Sequence, residues 1–160
     1  MQATKDTFLK TLSSRLATVN PVRTVMINGA ARPAVLALEN ETPQLPTVTL
    51  DTFLLTWAEA AKAMPEGPLM YMECKVSYGT EGSNGMLGTD RGRVLTAMDM
   101  ELLRLCRPNF APKGDYTLTP QSPLGTNIFW TAPMMEAAVE VGGILQRTAT
   151  VRLFFFPEVA

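Results

Sequence analysis

Leu69-Met70-Tyr71-Met72-Glu73-Cys74-Lys75-Val76-Ser77-Tyr78, then Gly79-Thr80-Glu81-Gly82-Ser83-Asn84-Gly85-Met86-Leu87-Gly88, then the run from Asp90 to Cys106, decide the architecture of this chain. In the first part Met70, Met72, Cys74, Val76 and Tyr78 are apolar, while Glu73, Lys75 and Ser77 interrupt the other face. Successive side chains of a strand point to opposite faces, so this period of two predicts a half-buried strand. From Asp90 to Cys106, Val94, Leu95, Met98, Leu102, Leu105 and Cys106 recur at spacings of three and four. That spacing gives one apolar helical stripe, which predicts a helix lying on the sheet. The stretch specifies a shape and carries no recognisable catalytic motif.

The chain has 160 residues, a length suited to a single domain over 1–160. A chain of that size buries roughly 70% of its unfolded surface, enough for a core without staples. With 46% hydrophobic and 18% charged residues, composition argues against disorder. No run approaches the roughly 20 apolar residues that a bilayer-spanning helix needs, so no membrane association is expected. Cys74 and Cys106 both fall on predicted core faces, where a reduced thiol behaves as a small hydrophobe. Lys5, Lys10 and Arg15 give Met1 to Val19 the look of a transit peptide, but Asp6 and the lack of a continuous apolar run make it the first helix of the fold.

The net charge of −1 is unevenly spread: five basic and two acidic groups in residues 1–40, two and seven in 41–90, seven and six in 91–160. A nucleic-acid-binding domain usually shows a strong basic excess, which is missing here. The acidic middle reads either as a solvated face or as one side of a contact between surfaces of opposite sign.

Working outward, Phe8, Leu9, Leu12 and Leu16 predict a helix from Thr4 to Thr18, ended by Asn20-Pro21. Val22 to Ile27 and Pro33 to Glu39 flank Asn28-Gly29 and predict a hairpin with a somewhat long connection, followed by a proline-bearing link from Thr42 to Pro46. Thr47 to Met64 admits both readings. Val48 and Leu50 alternate like a strand, while Phe53, Leu54, Trp57, Ala61 and Met64 follow a helical face. Asp51 as N-cap and Pro65 beyond the end favour a helix from Thr52 to Met64. The prolines between Pro108 and Gly125 predict an extended arm over 108–125. Val139 and Val141, Gly142-Gly143, and the alternating Ala149, Val151, Leu153 and Phe155 predict a second hairpin. Phe154-Phe155-Phe156 is apolar on both faces, so that strand should enter the interior or be covered by another subunit. The expected class is α+β: an antiparallel or mixed sheet packed by an N-terminal helix and a long central helix, with an extended proline-rich arm.

The sequence has no histidine, which removes the usual general base at neutral pH, the commonest metal ligand and every histidine-dependent triad. Glu73, Glu81, Asp90 and Asp99 lie close in sequence, but Glu73 falls on the polar side of the strand and Asp90 and Asp99 on the exposed side of the helix, which favours solvated roles over acid–base work. No calcium-loop spacing is present. The glycine-rich loop precedes a helix as a phosphate loop does, yet it lacks the Gly-Lys-Ser/Thr ending and carries Glu81 in place of a lysine. Accordingly no catalytic, cofactor-binding or metal residue is assigned, and no cofactor is expected. Met86 and Leu87 are apolar groups in a polar loop that either cover a core edge or dock on a partner. Arg91 and Arg93 stand at a helix start, against the macrodipole, where an acidic partner or Asp90 would balance them. With Phe154 and Phe156 they form the candidate interface set. Trp57 and Trp130 read as packing residues.

The order of elements, with Pro33-Ala34-Val35-Leu36-Ala37-Leu38, Met72-Glu73-Cys74-Lys75-Val76-Ser77-Tyr78 and Arg93-Val94-Leu95-Thr96-Ala97-Met98 at the hairpin, central strand and helix, resembles the tail terminator, or tail completion, proteins of tailed bacteriophages. The resemblance implies a non-enzymatic virion protein, assembled in the host cytoplasm and located in the tail. It implies a homo-oligomeric ring, commonly a hexamer, whose partners are the tail tube protein and the head–tail connector, with DNA passing through the lumen unbound. Two other readings remain open: another tail, neck or baseplate component, and a small ligand-binding or enzymatic domain with a pocket lined by Tyr71, Tyr78 and Trp130.

Overall fold

The computed structural model describes residues 1–41, 49–57 and 60–158. Along the chain run α1 (Gln2–Val19), β1 (Thr24–Ile27), β2 (Ala30–Pro33), β3 (Val35–Ala37), the single turn α2 (Leu38–Glu41), β4 (Phe53–Trp57) and β5 (Lys62–Ala63). They are followed by β6 (Met70–Thr80), α3 (Arg91–Leu105), β7 (Phe110–Asp115), β8 (Ser122–Trp130), β9 (Met134–Met135), β10 (Val139–Val141) and β11 (Ile144–Phe155).

The alternating strand of the sequence is β6. It pairs antiparallel with β11 from Leu145 opposite Thr80 to Phe155 opposite Met70, and these two strands are the axis of the sheet. The order across it is β3-β4-β6-β11-β8-β7; β5 joins β6 on the side of β4, and β9 and β10 join β11 on the side of β8. All these pairings are antiparallel except β3 with β4, so the sheet is mixed and the class is α+β.

Both longer helices lie on one face of the sheet. Phe8, Leu12 and Leu16 of α1 and Leu95, Met98, Leu102 and Leu105 of α3 form one core with Cys74, Val76 and Tyr78 of β6 and Val151, Leu153 and Phe155 of β11. Phe8 stands edge-on to Trp57 and Trp130, with ring centroids 6.2 and 5.3 Å away. At the helix ends, Arg15 donates to the carbonyls of Leu105 and Pro108, both at 2.7 Å, and Arg23 and Asn20 donate to the Glu101 carboxylate at 2.5 and 2.7 Å. Lys113, 2% exposed, donates to the Phe156 carbonyl at 2.6 Å and pairs with Glu158, which also takes the N-terminal amine.

Several expectations are corrected. The first hairpin turns on just two residues, Asn28 and Gly29, both with positive φ as a tight turn requires. Its second strand is Ala30–Pro33 and not Pro33 to Glu39, a stretch that instead holds β3, paired with β4 in the main sheet, and the start of α2. The expected helix from Thr52 to Met64 is instead β4 and β5. Phe53, Leu54 and Leu55 are all buried, and a strand covered on both faces has the continuous apolar run that periodicity does not separate from a helix. Asp51 is no N-cap: it has φ +54 and donates its amide to the Gly79 carbonyl at 2.8 Å. The Thr42 to Pro46 link and residues 58–59 lie outside the described residues.

The proline-rich segment is no free arm either. It is the hairpin β7–β8, and α1 covers its outer edge, where Thr7 accepts the Gly114 amide at 3.1 Å and Arg15 reaches the Phe110 carbonyl at 3.3 Å. Prolines are tolerated there because an edge strand needs fewer ladder donors, and the register shifts between Pro112 and Gly114. The C-terminal hairpin takes the expected form, with Val141 opposite Ile144.

Cys74 and Cys106 are free and buried. Burial pushes both thiols up, Cys106 to about 12, and burial together with the bond to Asp99 raises the Tyr78 phenol. Groups whose folded pKa exceeds the unfolded value give stability that is complete below the unfolded value and is lost as pH rises toward the folded one. The urea midpoint should therefore begin to fall as pH approaches about 8.5, where an unfolded thiol is half ionised, and fall steadily above it. Cys106→Ala should show a shallower alkaline decline than the parent; a parent midpoint that stays level to pH 11 contradicts this account.

Candidate interaction surfaces

Among the described residues, two apolar surfaces outside the core lie near opposite ends of β6. At the Thr80 end, the connection to α3 is pinned from within. The Ser83 amide donates to Asp90 Oδ1 at 2.9 Å and the Gly82 amide to Thr80 Oγ1 at 3.0 Å. Thr89 donates its hydroxyl to the Met86 carbonyl at 2.7 Å. Hydrogen bonds from Ser83 hold the Asp90 carboxyl below the usual carboxylate range. Gly82 has φ +92, and a Cβ there would stand 2.5 Å from Asp90 Oδ1, so only glycine fits. The Gly82 and Ser83 amides are thus already taken by Thr80 and Asp90.

This fixed loop presents Leu87 with φ +51 and 97% of its surface exposed. A left-handed backbone costs a non-glycine residue roughly 1–2 kcal/mol. Leaving a leucine in water forgoes roughly a further 1.5–3 kcal/mol of burial. Nothing within the described residues offsets either cost. Met86 is half exposed beside it.

Other apolar groups gather at the same end. Arg91 donates to the Gly143 carbonyl at 2.6 Å, which sets the turn between β10 and β11, with exposed Val139 and Val141, against the loop. Exposed Val22 shares a groove with Ser83 and Asn84. Arg91 itself donates to the Gly88 carbonyl at 3.1 Å and lies 3.6 Å from Glu140, so it supports the loop; Arg93 is exposed.

Near the other end, register builds a row. Phe110 of β7 stands opposite Phe129 of β8, Phe129 opposite Phe154 of β11, and Phe154 opposite Tyr71 of β6. Directly paired residues point to the same side of a sheet, so the four rings cross four adjacent strands on the face away from the helices. Neighbouring rings of the outer pairs are 6.4 Å apart. Phe110 and Phe129 are 45% and 44% exposed, and Phe156 lies exposed just beyond β11. On the same face Arg152 covers the Tyr71 ring at 5.2 Å and pairs with Glu73 at 2.7 Å.

The six residues singled out in the sequence therefore divide. Met86, Leu87 and Arg93 lie on the loop surface, Phe154 and Phe156 at the aromatic end, and Arg91 supports the loop. Phe110 and Phe129 were missed, and Tyr71 was read only as a pocket residue, because their alignment depends on pairing between strands that are distant in sequence. Asp99 is also corrected: it is not solvated but accepts from the Tyr78 hydroxyl at 2.6 Å and pairs with Arg147 at 2.9 Å, tying α3 to the sheet. Tyr71 faces away from fully buried Tyr78 and Trp130, so those three line no common pocket. Among the described residues no group of three or more acidic or cysteine side chains could hold a metal ion. A cleft of about 370 Å³ between the end of α3 and Ala132-Pro133 is lined by Leu103, Arg107 and Asn109.

No protein-family model matches the chain, and no curated protein matches it in sequence.

Proposed function

We propose that this chain is a structural virion protein that assembles with copies of itself into a ring at the head-proximal end of a phage tail, where it stops tail-tube polymerisation and forms part of the head–tail joint. The observation that carries this reading is the pair of unlike apolar surfaces near opposite ends of one strand. A ring needs a heterologous contact, in which one patch of each subunit meets a different patch of the next. The order of helix, hairpin, central strand, glycine-rich loop and long helix supports the tail-terminator resemblance. In that role the ring meets the tube protein on one side and the connector on the other, and the lumen passes DNA without specific contacts.

Native mass spectrometry and negative-stain microscopy of the purified full chain test the reading. Closed rings of one size, and tubes that stop growing when the protein is added, are the expected results. A particle that stays monomeric at high concentration and ignores tail tubes overturns it.

A further inference from the structure

We propose that the solvent face of α3, with the cleft at its C-terminal end, docks an acidic segment of another protein: Arg104 and Arg107 take carboxylates and the cleft takes one apolar side chain. Such a site stands whether or not copies of the chain close into a ring.

At 3.6 residues per turn, positions 93, 97, 100 and 104 fall on the side of α3 opposite the buried Leu95, Met98, Leu102 and Leu105. Arg93, Ala97, Met100 and Arg104 are exposed there, Met100 by 49%. Arg107, also exposed, comes just past the helix end, and its amide donates to the Arg104 carbonyl at 3.0 Å, which keeps the two arginines one turn apart.

The acids near these two arginines in sequence have other partners. Glu101, three positions before Arg104, accepts from Arg23 at 2.5 Å and from Asn20 at 2.7 Å. Asp99 accepts from Tyr78 at 2.6 Å and pairs with Arg147. Arg93 has Asp90 close by, but among the described residues no carboxylate pairs with Arg104 or Arg107. Neighbouring cations repel, so the pair gains from an anion that the chain itself does not supply. The helix dipole accounts for cations at this end but not for the apolar surface beside them.

That surface is the cleft of about 370 Å³, walled by Leu103, Cys106, Pro108, Ala132 and Pro133, with Arg107 as its one charged group. Asn109, also on its wall, donates its side-chain amide to the Trp130 carbonyl at 3.2 Å. An apolar cleft with one cation beside it, and a second a turn away, fits an apolar side chain flanked by carboxylates. Half-exposed Met100 extends the apolar contact along the helix, and methionine and arginine are enriched in protein interfaces. A nucleic acid fits less well: two arginines offer few phosphate contacts, and the chain as a whole lacks a basic excess.

The test titrates the full chain into a fluorescein-labelled peptide of glutamates around one central leucine, read by fluorescence anisotropy at low salt. The parent should bind, and the double variant Arg104→Gln, Arg107→Gln should bind about tenfold more weakly, the value of losing two exposed ion pairs. A peptide with serine in place of the leucine should lose about tenfold or more, as for one leucine left unburied. Ala132→Phe, which fills the cleft from an exposed position, should cause a similar loss. All of these substitutions lie outside the core, so melting temperatures and sedimentation profiles should match the parent.

No binding by the parent, or equal binding by the arginine variant, overturns the proposal. Weakening by the arginine variant alone, with the serine peptide and Ala132→Phe unaffected, shows attraction without a seated side chain and also overturns it. A labelled oligonucleotide that binds where the peptide does not assigns the face to nucleic acid. Variants that change the chain's own association assign it to a contact between copies; either result overturns the acidic-segment reading. Closed rings formed by the parent in any of these cases leave the ring reading standing.

Discussion

Phe8→Ala is expected to lower the unfolding free energy by about 3–5 kcal/mol, read as a shift of the urea midpoint at unchanged slope. Phe8 is fully buried, wedged between Trp57 and Trp130 where α1 meets the sheet. Its removal leaves a cavity between two large rings that β4 and β8 hold in place, so little of the space can close. Against a total of roughly 5–15 kcal/mol for a domain, such a loss leaves a marginal protein. A change under about 1 kcal/mol would mean that α1 is not a packed layer of this fold.

Asp99→Ala should be nearly as damaging, at about 2–4 kcal/mol, because it strands the Tyr78 hydroxyl and leaves the Arg147 guanidinium without its counter-charge. The Tyr78 hydroxyl loses its 2.6 Å acceptor, and the Arg147 guanidinium loses the carboxylate 2.9 Å away. Both charged side chains are about a fifth exposed, which places the cost below that of a fully buried pair. Asp99→Asn keeps an oxygen for Tyr78 and should recover part of the loss. In a double-mutant cycle Tyr78→Phe should cost much less in the Asp99→Ala background than in the parent, and strict additivity would show that the two side chains act separately.

Local elements with one wet face were legible in the sequence. The strand around Cys74, the stripe from Val94 to Cys106, the face of Phe8 to Leu16 and the turn at Gly142-Gly143 each carry their own periodicity, because burial on one side imposes it. Phe53 to Leu55 was misread for the converse reason: with cover on both faces the alternation vanishes. The prolines of residues 108–123 signalled a departure from helix correctly, but their place at a sheet edge under α1 depends on Thr7 and Arg15, a hundred residues earlier.

The interface residues divide along the same line. Met86 and Leu87 stand out in the sequence as apolar residues in a polar loop, and their exposure follows from hydrogen bonds among near neighbours such as Ser83, Thr89 and Asp90. The aromatic row has no such local signature, since Phe110, Phe129, Phe154 and Tyr71 meet only through the registers of four strands. Periodicity in the sequence determined which segments have an apolar side. Only the tertiary structure decided which of those sides the core could cover, because strand register and helix placement are set by contacts between residues far apart in the chain.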